Sequence, residues 1–145
     1  MKDKKTSELL NILNSIDNTS NLNIYVKKVK TTFSNLDFCS YVTSILEEKN
    51  IKKSKLIELS NLDRTYAYQI LNGTKKPSRN KILQLCIAAK LNIEETQKAL
   101  TLGNVGQLYP KDPRDSAIMF SINKRLNLID TNDLLGQLNL DYLDE

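Results

Sequence analysis

The chain has 145 residues, 40% hydrophobic and 26% charged, which fits one globular domain or a domain with an extension. No apolar run approaches the roughly 18 residues of a membrane span, and MKDKKTSELL lacks the apolar stretch of a signal peptide, so a cytoplasmic protein is expected. Histidine is absent and no cysteines lie close in sequence, which argues against a metal site and removes the commonest general base; no cofactor is expected. Cys39 and Cys86 read as two buried free thiols.

The sequence predicts an all-α chain; strand-like alternation is scarce. Leu9, Leu10, Leu13 and Ile16 predict a short amphipathic helix over about 6–17. Residues 17–23 (DNTSNLN) are a polar break, and Tyr25, Val29 and Phe33 at i+4 steps favour helix over strand for 24–33. Asp37 can cap a helix reaching about Lys49, with Phe38, Val42, Ile45 and Leu46 inward. Next come a helix over about 53–60 (Leu56, Ile57 and Ser60 inward), a turn at 61–63, and a helix over about 64–72 (Ala67, Ile70 and Leu71 inward). Gly73 suits the left-handed residue that closes that helix. Ser78 can cap a helix over about 79–91, whose stripe is Ile82, Leu85, Cys86 and Ala89.

The C-terminal half repeats itself. Residues 77–100 lie over 112–135 at an offset of 35, so that Arg79, Ile87, Leu91, Asn92, Thr96 and Leu100 recur as Arg114, Ile122, Leu126, Asn127, Thr131 and Leu135. A true repeat and the general likeness of leucine-built helical hairpins both explain this.

Charge is concentrated. Residues 49–81 hold nine Lys/Arg against two acids, a net of +7, whereas 1–48 are neutral and 82–145 sum to −3. A basic helix pair joined by a tight corner is the pattern of a DNA reader. With Ala67, Ile70 and Leu71 inward, Arg64, Thr65, Tyr68, Gln69 and Asn72 lie on the outer face. Arg64 can pair bidentately with guanine and Gln69 with adenine, and the Thr65 methyl can meet a thymine methyl. Arg64 also opposes the helix macrodipole, a cost of about 0.3–1 kcal/mol that an anionic partner would offset. Tyr66 reads as core rim, Tyr68 as the better candidate for contact with a ligand.

The stretch KKSKLIELSNLDRTYAYQILNGTKKPS, followed by NKILQLCIAAKL, resembles the Xre-type, lambda-repressor-like helix-turn-helix family over about 37–92. The resemblance implies a five-helix DNA-binding core at 37–92, with a helical N-terminal segment at 1–36. A helical extension at 93–145 would pack on the core as a dimerisation or partner surface. It implies a bacterial or phage transcription regulator, base contacts from Arg64, Thr65, Tyr68 and Gln69, and backbone contacts from Lys53, Asn72, Lys75, Lys76 and Arg79. A homodimer on a palindromic duplex is the matching expectation. Two departures stand out: Lys52-Lys53 where the family often has Ser/Thr-Gln, and Asn61 where it often has glycine. The alternative is a protein-binding module on the same fold, such as an antitoxin, a phage anti-defence factor or the partner of a signalling protein; the extra helices favour it. No catalytic motif is present, and the chain is not expected to be an enzyme.

Overall fold

The computed structural model describes residues 6–33 and 37–144. Among them lie nine α-helices and no strand. The chain divides into two units between Asp37 and Phe38.

The first unit holds α1 (Thr6–Asn14) and α2 (Thr19–Phe33). α1 stops earlier than expected, at a turn where the Ser15 hydroxyl donates to the Ile12 carbonyl. The polar break shrinks because Asn18 starts α2, its side-chain oxygen accepting the Asn21 amide at 2.8 Å. The α1 stripe is also corrected. Leu10 and Leu13 are exposed (54% and 39%), and Leu9, Ile12 and Ile16 are the half-covered set. Tyr25 and Val29 are half-buried as expected; the side chain of Phe33 lies outside the described residues.

The second unit runs through α3 (Phe38–Glu48), α4 (Lys53–Ser60), α5 (Arg64–Leu71), α6 (Arg79–Ala88), α7 (Ile93–Leu102), α8 (Pro113–Asn123) and α9 (Leu128–Gln137). The inward sets expected for α3, α4 and α5 are all buried. α6 lies at the centre, packed against α4, α7 and α9. It is buried without a break from Ile82 to Ala89, wider than the expected stripe, because helices cover it on more than one side. Buried Gln84 donates to the Ser60 carbonyl at 3.1 Å, which ties α6 to the end of α4. α6 is shorter than expected: Lys90 turns left-handed (φ 58), and Leu91 N–H closes onto the Cys86 carbonyl. Where α3 meets α7, the Tyr41 hydroxyl donates to the Glu95 carbonyl and the Lys98 ammonium lies 5.0 Å from the ring centroid. Burial, then the nearby Glu95 charge, pushes the Tyr41 phenol up to about 12.

The repeat is realised in three dimensions. Lys90 and Arg125 are both left-handed, as are Asn104 and Asn139. Asn92 and Asn127 cap α7 and α9 through the amides of Glu95 and Asp130. Thr96 and Thr131 are fully buried. Arg79 binds the carbonyls of Gly106 and Gln107, while Arg114 binds those of Asp141 and Tyr142. The same donors reach acceptors 35 residues apart, a coincidence that leucine spacing alone does not produce. The two corners also hold each other: Lys90 Nζ donates to the Arg125 carbonyl and Arg125 Nη1 to that of Lys90. Cys39 departs from the buried-thiol expectation. It is half-buried, and its thiol donates to the Ile70 carbonyl at 3.2 Å.

Candidate nucleic-acid interface

The corner between α4 and α5 is set by Asn61, left-handed at φ 57 and ψ 23. Asparagine tolerates this region, which explains why a non-glycine residue works here. The Asn61 side chain donates to the Asp144 carboxylate at 2.8 Å, and that carboxylate also accepts from Asn132 at 2.7 Å. The end of the second repeat therefore holds the corner. Asp63 caps α5 by accepting the Tyr66 amide at 3.0 Å, and its negative charge sits beside Arg64 in the first turn.

α5 turns Ala67, Ile70 and Leu71 into the core and leaves Arg64, Thr65 and Asn72 exposed, with Tyr68 and Gln69 half-buried. The Arg64 guanidinium lies 5.9 Å from the Tyr68 ring centroid, one helical turn along the same face. Tyr68 also packs against the core, so part of its ring area is structural. A shallow depression of about 420 Å³ runs from Ser54 and Glu58 on α4 to Arg64 and Tyr68 on α5. Ser54 was not selected from sequence; its place in the first turn of α4 was the available signal. Tyr66 is half-buried against the core with the Lys81 ammonium 5.5 Å from its ring centroid, the rim position expected of it.

Around this face Lys53, Lys75 and Lys76 are exposed. Lys53 opens α4, where no side chain caps the helix. Asn72 is exposed, but its side-chain oxygen is occupied by the Thr74 amide, and its work is to shape the loop. Gly73 (φ +88) and buried Pro77 seat the rest of that loop.

Arg79 has a different task from the backbone contact expected of it. Besides its two carbonyl bonds, it makes a two-pronged pair with Asp115 (Nη1–Oδ1 3.0 Å, Nη2–Oδ2 2.9 Å). Asp115 also accepts the Tyr109 amide at 2.9 Å. Burial alone would push this carboxyl up. The Arg79 and Tyr109 hydrogen bonds and the charges of Arg79 and Arg114 outweigh burial and hold it below the usual carboxylate range. All three kinds of guanidinium nitrogen in Arg79 are thereby engaged inside the fold.

No family model, curated protein or solved structure matches the chain. Among the described residues no helix is long and apolar enough to cross a membrane, and no acidic or cysteine cluster could hold a metal ion.

Proposed function

We propose that the chain is a sequence-specific double-stranded DNA-binding regulator of the lambda-repressor-like helix-turn-helix kind. In this reading α5 enters the major groove and a homodimer reads a palindromic site. The observation that carries the reading is the outer face of α5. Arg64, Thr65, Tyr68 and Gln69 lie together on one short helix whose opposite face is core, and exposed Lys53, Lys75 and Lys76 flank it. Positive charge positions such a face on phosphates, and the side chains of α5 read base edges.

The test is selection from a random duplex library, followed by affinity at several salt concentrations. Arg64→Ala and Gln69→Ala should relax base preference at a cost of about 1–3 kcal/mol each. Lys53→Ala and Lys76→Ala should weaken binding to every duplex alike and reduce the salt slope by about one unit. Arg79→Ala should leave the salt slope unchanged, because its guanidinium is bound within the fold. Binding that ignores salt, or a library that yields no bound duplex, refutes the proposal.

A protein-binding role on the same scaffold is the second reading. It is favoured by large apolar residues exposed on the second repeat: Phe120 (51%), Leu138 (52%) and Ile129 (72%). A specific protein partner recovered without duplex binding would select it.

A further inference from the structure

The internal repeat supplies its own comparison. In the first copy the Arg79 guanidinium is fixed by the carbonyls of Gly106 and Gln107, and with the Tyr109 amide it grips the Asp115 carboxylate. Asp115 stands in the first turn of α8, the helix that the lead-in 106–112 delivers. In the second copy the equivalent Arg114 is fixed the same way. Its Nε donates to the Asp141 carbonyl at 2.9 Å and its Nη2 to the Tyr142 carbonyl at 3.0 Å. Asp144 stands 35 residues after Tyr109 and presents the equivalent amide. Among the described residues, neither Arg114 Nη1 nor the Asp144 amide has an acceptor. The depression there is about 330 Å³ and is lined by Asn80, Arg114, Asp141, Tyr142 and Asp144.

From this we infer that the Arg114 depression is a docking site for a partner protein. The site receives an aspartate or glutamate in the first turn of a partner helix, as Arg79 receives Asp115. The grip is preorganised, because two backbone carbonyls already hold the guanidinium plane and little side-chain freedom is lost on binding. The acids nearby set the kind of anion. The Asp144 carboxylate is committed to Asn61 and Asn132, whereas the exposed Asp141 carboxylate adds repulsion. A singly charged carboxylate carried on a helix, with packing to support it, fits this balance better than a phosphate dianion. The second copy also exposes apolar residues. Phe120 and Leu138 are exposed on the second copy at positions where the first copy has buried Leu85 and Gly103.

The chain contains the probe for this site. A labelled synthetic peptide spanning residues 106–137 carries the lead-in, Asp115 and the α8–α9 sequence, and lacks the carbonyls that fix Arg114. Titrated into the full-length protein and followed by fluorescence anisotropy, it should bind saturably. Arg114→Ala in the protein and Asp115→Asn in the peptide should each weaken binding about tenfold, the scale of one charge-assisted hydrogen bond. Combined, they should cost little more than either alone, and Asp141→Asn in the protein should tighten binding. Absence of saturable binding, indifference to both changes, or strictly additive losses would overturn the inference. The peptide change leaves the folded protein untouched, so misfolding of the Arg114 variant cannot imitate the result. No DNA enters the measurement, so its outcome is separate from that of the duplex selection.

Discussion

Replacing Arg79 by alanine should destabilise the protein severely. The pair it makes with Asp115 is well covered: the Asp115 side chain is 7% exposed and that of Arg79 29%. Truncation removes both carboxylate bonds and both carbonyl bonds, leaving the Tyr109 amide as the remaining donor to the Asp115 carboxylate among the described residues. Removing one partner of a buried pair costs about 3–5 kcal/mol. The partial exposure of Arg79 lets water repay some of this, so roughly 3 kcal/mol is expected. For a unit of this size that lowers the melting temperature by on the order of 10 °C. Thermal and urea unfolding followed by circular dichroism would measure it, with Asp115→Asn as the near-isosteric companion. The two losses should be strongly non-additive, because both remove one contact. The pH dependence has a fixed sign. A carboxyl lowered in the folded state stabilises above its unfolded value of about 3.9 and loses that contribution as pH falls through the folded value. The gap between wild type and Asp115→Asn should therefore persist at neutral pH and narrow below about pH 4. A loss under about 1 kcal/mol at neutral pH would refute the anchoring role of Arg79.

Two further perturbations probe the same unit. Burial pushes the Cys86 thiol up to about 12. At pH 8 a thiol reagent should modify half-buried Cys39 first and native Cys86 slower by on the order of a thousandfold; equal native rates would contradict the packing around α6. At the corner, Asn61→Ala should cost about 1–2 kcal/mol from left-handed strain, and Asn61→Gly clearly less, since glycine loses only the Asp144 bond. Gly73→Ala should cost a similar amount through backbone strain alone. Its new Cβ would sit 3.5 Å from the Cys39 sulfur, an ordinary contact. Urea midpoints would rank these variants.

Most of the helical framework was legible because its signals are local. Leu56, Ile57 and Ser60, then Ala67, Ile70 and Leu71, repeat at helical spacing, and Asp63, Ser78 and Asn92 are capping residues at their helix starts. The failures involve long-range partners. The resemblance places Arg79 with the loop cations that contact DNA backbone, whereas its acceptors lie 27 to 36 residues away. A clue was present in its recurrence as Arg114 within the acidic half, where a cation for DNA backbone has no reason to recur. Leu10 and Leu13 misled for the opposite reason: periodicity shows which residues can share a face, not whether anything covers it. The end of α6 was hidden because Lys90, like its repeat counterpart Arg125, takes a conformation that neither residue favours alone. Each is held there by the other's side chain.

The two halves of the second unit cannot be assigned separate mechanical roles. α6 packs on α4, and its Gln84 holds the carbonyl at the end of that helix. The same helix begins with Arg79, which fixes the lead-in to the second repeat. The second repeat returns through Asp144 to the side chain of Asn61, the residue whose left-handed conformation sets the angle at which α5 leaves α4. Corner, central helix and repeat therefore form a closed circuit of contacts. Arg79 and Asp144 are thus linked to the α4–α5 corner through contacts outside α5. Because additivity fails within such a connected network, the energetics of the basic face must be measured on the whole unit rather than on the helix pair alone.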